Sequence, residues 1–291
     1  MAQLQARRSH NVPGDFYVDT SCIDCDTCRW MAPETFSRRG ELSAVHQQPR
    51  SAAERQAALQ ALLACPTASI GTEQKPRDIR AVQQDFPLPI TTDVYHCGYH
   101  AQSSFGAASY LIVQPEGNIL VDSPRFTPPL VKRLEALGGV RWLYLTHRDD
   151  VADHAKFQAH FGCDRLLHTD DITAKTQAVE IQLQGTAAID DVLPHCQIIP
   201  VPGHTEGHTV LLWQDRVLFS GDHLAWSVAL NQLIAFHRFC WYSWPRLKES
   251  MQALAAYDFE WVLPGHGRRH HASQAQMRQA MKTCLAWMET V

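Results

Sequence analysis

The sequence predicts a layered α/β fold with a small metal-binding segment in front of it. Three observations predict this. From about Val94 onward, short apolar runs alternate with helix-like stretches. Histidines and aspartates close several of those runs, each beside a glycine or proline. Ahead of them stand four cysteines in a three-plus-one spacing.

The cysteines come first in the chain. Cys22, Cys25 and Cys28 form C-x-x-C-x-x-C, and Cys65 follows after 36 residues with Pro66 directly behind it. A structural zinc site usually pairs its thiolates as two separated C-x-x-C knuckles. Three ligands from one tight loop and a fourth from a distant C-P turn instead suit a cubane iron–sulfur cluster. The unit occurs once, so one [4Fe–4S] cluster is expected, with a structural zinc or four reduced thiols as the alternatives. Ser51 to Ala64 is rich in Ala, Leu and Gln and reads as a helix leading to Cys65. Over about residues 10–72 these segments resemble the single-cluster bacterial ferredoxins, including Pro33 and Phe36 after the third cysteine.

Size and charge narrow the function classes. A chain of 291 residues holds one or two domains. The net charge of −4 leaves no basic footprint for nucleic acid. No apolar run approaches the ~20 residues of a membrane span. Met1 to His10 carries Arg7 and Arg8 but no apolar core of a secretory signal. Nine cysteines is an odd number, and Cys97, Cys163, Cys196, Cys240 and Cys284 are scattered singly. That usage fits a reducing, cytoplasmic setting better than a disulfide framework. The expected organisation is a ferredoxin-like domain over 1–75, a Pro-containing linker or irregular first strand over 76–92, and a larger domain over 93–291.

Within the larger domain the elements follow in order. Ser109–Val113 and Asn118–Asp122 read as a strand pair around the turn Pro115-Glu116-Gly117. Thr127–Leu137 reads as a helix with Thr127 as N-cap and Gly138 as its stop. Val140–Thr146 is a strand, and Val151–Phe161 a helix capped by Asp149 or Asp150. Gln197–Val201, Val210–Trp213 and Arg216–Ser220 are strands. Trp244–Tyr257 is a helix with Pro245 in its first turn. Glu260–Leu263 is a short strand and Ala272–Met288 an amphipathic terminal helix.

The strand ends carry the second metal pattern. His147 follows one strand, His204 another in Pro202-Gly203-His204-Thr205-Glu206-Gly207-His208, Asp222 a third in Ser220-Gly221-Asp222-His223, and His266 a fourth in Pro264-Gly265-His266-Gly267. Strand ends are rigid and converge on one face, as a dinuclear site requires. With Ile119–Ser123, these motifs resemble the metallo-β-lactamase fold superfamily over roughly residues 93–270. The resemblance implies a four-layer αββα sandwich with a dinuclear site in a cleft at one edge. It implies His147 and His204 on one metal, His266 on the other and Asp222 bridging them. Asp122 and His208 would stand behind the ligands.

One segment departs from the family. The usual H-x-H-x-D-H is replaced here by His147-Arg148-Asp149-Asp150-Val151-Ala152-Asp153-His154. Asp149 takes the offset of the second histidine. His154 is a further candidate ligand, and the choice among Asp149, Asp150 and Asp153 is open. A carboxylate-rich set suits iron as well as zinc. Three readings follow. The first is a hydrolase in which metal-bound hydroxide attacks a small acyl substrate, such as a thioester or lactone. The PGHTEGH turn, which resembles that of hydroxyacylglutathione hydrolases, favours it. The second is a di-iron oxidoreductase fed by the cluster, since flavodiiron enzymes also carry a carboxylate at that offset. The third is a non-catalytic redox-sensing protein. The expected partners are a small-molecule substrate and an electron-transfer partner, with no nucleic acid and no membrane.

The remaining features have plainer expectations. Trp226, Phe236, Phe239, Trp241, Tyr242 and Trp244 read as core, and His237 and Arg238 as exposed. His270 and His271 read as a solvated helix start. Arg148 would bind an anionic substrate group or pair with Asp149 or Asp153. His96 and His100 lie in a predicted loop, from which His100 could reach the cleft mouth.

Overall fold

The computed structural model describes residues 2–291. The first part of the chain contains β1 (Phe16–Val18), α1 (Thr27–Met31), β2 (Phe36–Arg39), β3 (Leu42–Val45), α2 (Ala52–Ala64), β4 (Ile70–Thr72) and α3 (Ile79–Val82). β1 pairs antiparallel with β4, and β2 with β3. α2 starts where expected because the Ser51 hydroxyl accepts the Glu54 N–H, and it ends at Cys65. Phe16, Val18, Phe36, Val45, Leu59 and Ile70 bury one another between these elements.

Two sheets follow. β5 (Leu88–Pro89), β6 (Val94–His96), β7 (Tyr110–Ile112), β8 (Ile119–Val121), α4 (Pro128–Ala136), β9 (Trp142–Tyr144), α5 (His154–Phe161), β10 (Asp164–His168) and β11 (Ile181–Leu183) build the first. Its strand order is β11-β10-β9-β8-β7-β6-β5, parallel from β11 to β8 and antiparallel beyond. β12 (Cys196–Pro200), β13 (Thr209–Trp213), β14 (Val217–Gly221), β15 (Ala225–Ser227), β16 (Gln232–Ile234), α6 (Trp244–Leu254), β17 (Trp261–Pro264), β18 (His270–His271) and α7 (Gln274–Met288) complete the chain. The second sheet runs β12-β13-β14-β17-β18, while β15 and β16 form a separate hairpin.

The layers follow from period-two patterning. Along β7, β8 and β9, Tyr110, Ile112, Ile119, Val121, Trp142 and Tyr144 face inward and meet Ile198, Leu211, Trp213, Val217 and Phe219 of the second sheet. The alternate residues Leu111, Leu120 and Leu143 face outward onto Leu130 and Leu134 of α4 and Phe157 of α5. On the far side, Val210, Leu212, Leu218 and Val262 pack under Leu247 and Met251 of α6 and Met277 and Met281 of α7. α7 is held at its start by a capping box between Ser273 and Gln276. The result is a helix–sheet–sheet–helix sandwich. Among the described residues, no helix is long and apolar enough to cross a membrane.

Three expectations change. The helix after β9 begins at His154, with Asp153 at its N-cap, rather than at Val151 behind Asp149 or Asp150. Residues 149–152 are spent on a turn that sends Asp150 into the interior, where it is 1% exposed. His270 and His271 form an edge strand against Trp261 and Val262, not a helix start. Their rings stack on Trp226 and Trp261, at 3.8 and 4.3 Å between centroids. The segment 76–92 holds α3 and, as its first-strand alternative has it, a strand that joins the first sheet. Phe239, Trp241 and Tyr242 are exposed rather than core.

Candidate metal centres

Asp122, His147, His204, Asp222 and His266 each follow the end of a strand in one of the two sheets. His147 is fully buried. Its Nδ1 lies 2.9 Å from Thr146 Oγ1. That hydroxyl donates to the Asp122 carboxylate at 3.0 Å, and the Thr146 N–H donates to the same carboxylate at 2.8 Å. With its hydrogen committed to Asp122, Thr146 accepts from His147 Nδ1–H. The tautomer is thereby fixed, and Nε2 keeps its lone pair for the site. Asp122 occupies a left-handed backbone conformation, φ 55°, to make these bonds. Burial pushes its carboxyl up to about 7, against the Thr146 hydrogen bonds that lower it.

Donor atoms of His147, Asp149 and His204 lie within 4.8 Å of one another, and Asp222 approaches both histidines. His204 Nε2 is 3.4 Å from Asp149 Oδ2 and 3.7 Å from Asp222 Oδ2. His147 Nε2 is 4.0 Å from Asp149 Oδ2 and 3.9 Å from Asp222 Oδ2. Four ligands ~2.1 Å from a tetrahedral ion would stand about 3.4 Å apart. A second group, His147, Asp150 and Asp222, brings one donor atom from each residue to within 4.8 Å of the others. Neither oxygen of Asp150 has a hydrogen-bond partner, nor do His147 Nε2, His204 Nε2 and His266 Nε2. Buried polar atoms without partners are costly. His147, His204 and Asp150 among them belong to the converging groups, which fits metal ligation.

The charges agree. Burial opposes ionisation of Asp222, but His266, His147 and His204 outweigh it and hold the carboxyl below the usual range. His266 Nδ1 lies 2.8 Å from Asp222 Oδ1. Against its own burial, that carboxylate lifts His266 to about 10. Burial pushes Asp150 well above the carboxylate range, and the like charge of Asp222 adds to it. Burial keeps His147 neutral by lowering it to about 4. Gly265 is required by crowding, since a Cβ there would lie 2.8 Å from Asp150 Oδ2 and 3.0 Å from Asp222 Oδ1.

Two predicted residues lie elsewhere. Asp153 accepts the Phe126 N–H at 2.8 Å and pairs with Lys156. His154 turns its Nδ1 to Arg165 Nη1, 3.1 Å away. Both belong to the first turn of α5, which points away from the donor cluster. Asp149 and Asp150 reach the cluster instead. His208 lies behind His147 and takes the Asp222 N–H on its Nε2 at 3.2 Å. His100 is buried. Sequence reasoning missed Asp171. Its Oδ2 takes the Thr205 hydroxyl at 2.6 Å and the Arg148 N–H at 3.0 Å, and its Oδ1 takes the Gly207 N–H at 2.9 Å. It clamps the two ligand loops together. The only sequence signal was an acid pair, Asp170-Asp171, just past an apolar run.

The cysteines form the other centre. Cys22, Cys25, Cys28 and Cys65 line one cavity with Val18, Pro66 and Ile70. All are free thiols. Thiolates on one zinc, at ~2.3 Å, would stand about 3.8 Å apart. Among the described residues, no three of these sulfurs approach within 4.8 Å of one another. The wider spacing fits a cubane cluster better than a single ion. Burial pushes the Cys25 thiol up to about 11, so its thiolate needs a cation beside it.

The comparisons agree with this geometry. Residues 18–72 match the family model described as the 4Fe-4S single cluster domain of Ferredoxin I. The sandwich is similar to the metallo-β-lactamase from Hirschia baltica, with TM-score 0.54 and 16% identity, covering 69% of this chain and 95% of that one. It is also similar to the metallo-β-lactamase from Pontibacter korlensis, with TM-score 0.51 and 15% identity, covering 70% and 98%. A hydroxyacylglutathione hydrolase from Anaeromyxobacter dehalogenans is 32% identical over 123 residues, covering 41% of this chain and 46% of the relative. Another from Acidiphilium cryptum is 29% identical over 167 residues, covering 54% and 63%. The chain thus spans less than two thirds of the curated relatives it matches. It has the metallo-β-lactamase fold. That fold is joined to an N-terminal single-cluster ferredoxin domain.

Proposed function

We propose that the protein is a metal-dependent hydrolase of small acyl substrates, thioesters or lactones, with a ferredoxin domain over about 1–75 and the hydrolase domain over 93–291. The observation that carries this reading is the convergence of buried, unpartnered donors of His147, Asp150 and His204 with the carboxylates of the exposed Asp149 and of Asp222, the latter bonded to His266. A divalent ion held there would supply a nucleophile at neutral pH and polarise the acyl carbonyl. The chain's own residues orient this chemistry. Asp122 and Thr146 fix His147, Asp171 holds the loops of His204 and Asp149 in register, and the Asp222 carboxylate stays ionised between them. Exposed aromatics flank the mouth. The Trp241 ring lies 6.2 Å from that of His204, and the Phe105 ring 6.3 Å from that of His266. They offer an apolar surface to an acyl group. The likeness to hydroxyacylglutathione hydrolases over part of the chain supports a thioester.

A second reading, a di-iron oxidoreductase supplied by the cluster, is favoured by Asp149 at the position of a histidine. Metal and sulfide analysis of anaerobically purified protein separates the two. About four irons with four sulfides plus zinc, together with turnover of a thioester or lactone panel, is the expected result. About six irons with four sulfides and no hydrolysis would replace the hydrolase reading by the second.

A further inference from the structure

The loop between β6 and β7 runs from one centre to the other. His100, within it, is 1% exposed. Its N–H donates to the carbonyl of Ala64, the residue before Cys65, at 3.1 Å. Its Nδ1 lies 2.6 Å from the Gly106 carbonyl and 3.1 Å from Thr27 Oγ1. A ring nitrogen facing a carbonyl carries the hydrogen. That hydrogen goes to Gly106, and Thr27 Oγ1 lies 3.4 Å from Cys25 Sγ, to which it would donate once the sulfur is a thiolate.

The loop then closes over the cysteine itself. Gly106 has φ +86°, and a Cβ there would lie 2.8 Å from Cys25 Cβ and 3.1 Å from its Sγ. Bare backbone covers this thiol. The next residue back, Phe105, packs its ring 6.3 Å from the ring of His266. Ala108 N–H donates to the Gly265 carbonyl at 2.7 Å, tying the same loop to the His266 turn. From the other side, Arg268 pairs with Asp26 inside the cysteine knuckle. A single loop thus touches a cluster cysteine at one residue and a metal-site histidine at the next.

We propose that Thr27, His100 and Phe105 are positioning residues that couple the iron–sulfur cluster to the metal centre, so that the charge of one sets the affinity of the other. This rests on the two-centre reading above. Reduction adds one electron, and one negative charge, to the cluster. A divalent ion adds two positive charges at the other site. Opposite charges attract, so the reduced cluster favours metal binding and bound metal raises the cluster potential. The two effects are equal by linkage, and each tenfold change in affinity corresponds to ~59 mV for one electron.

The test is voltammetry of the cluster-loaded full chain, with the electrode supplying the electron. The midpoint potential is read after chelation and again with saturating zinc. The expected result is a positive shift on zinc binding, equivalent to about tenfold tighter binding by the reduced protein. Phe105→Ala should shrink that shift by more than half. Thr27→Val should also lower the zinc-free potential, because a thiolate loses a hydrogen bond. His100→Ala tests the same link. Should it fail to fold, the half-exposed Phe105 still decides. No zinc-dependent shift in the native protein would overturn the proposal. A shift unchanged in every variant would also overturn it, since the loop would then carry nothing. If zinc is bound and a thioester is turned over with no shift, only this inference fails. If zinc does not bind, the hydrolase reading fails with it.

Discussion

Asp122 orients His147 without touching it. The link is the Thr146 hydroxyl, 3.0 Å from the carboxylate and 2.9 Å from the imidazole. Thr146→Val keeps the shape and removes the link. We expect roughly a 10–100-fold loss of metal affinity at the second centre, measured by competition with a chromophoric chelator. Unchanged affinity would show that the tautomer of His147 is set by something else.

The two centres should fail separately by composition. His204→Ala or Asp222→Ala should remove the second-site metal and cut turnover by about 10³-fold, while the brown cluster absorbance stays. Cys25→Ser should do the reverse in metal analysis. Full metal content and full turnover after loss of Asp222 would refute the site assignment.

Gly265→Ala tests crowding at the carboxylates. Its added methyl would press on Asp150 and Asp222 at 2.8 and 3.0 Å. Lowered zinc content with a retained far-UV circular dichroism spectrum is the expected outcome. Normal zinc content would mean that the turn relaxes freely.

The Asp222–His266 pair predicts a pH dependence for the metal-free protein. His266 is raised to about 10 from an ordinary value near 6.5. A raised pKa stabilises the fold fully below the unfolded value, and that contribution fades as pH climbs and is gone above about 10. Binding a metal through His266 must displace its proton. Zinc affinity should therefore rise about tenfold per pH unit from 6.5 upward. Calorimetry in buffers of different ionisation enthalpy should find at least one proton released. A flat profile would remove His266 from the ligand set.

The strand ends were the legible part of this chain. Apolar runs that stop at a glycine or proline beside His204, Asp222 or His266 announce both a sheet and what it carries. The four-layer order follows from the same runs, because period-two patterning sorts Ile119 from Leu120. The segment after His147 was not legible. Whether Asp149, Asp150 or Asp153 turns inward depends on where α5 begins, and its N-cap is Asp153 rather than the expected Asp149 or Asp150. Asp171 was hidden for another reason. Its partners Thr205 and Gly207 lie 34 and 36 residues away, and no local pattern marks such a bond. His270 and His271 were misread because their partners, Trp226 and Trp261, lie on other strands.

Gly106 also limits how this protein can be rebuilt. The N-terminal part is not a plug-in unit. Arg125 reaches the carbonyls of Leu63 and Cys65, Met31 and Leu63 share the apolar layer under the first sheet, and position 106 tolerates no side chain against Cys25. A foreign ferredoxin grafted in its place would have to match all of these fittings. Excising the native one would leave the larger partner with a raw, greasy scar and the smaller with one wall of its cofactor chamber torn away.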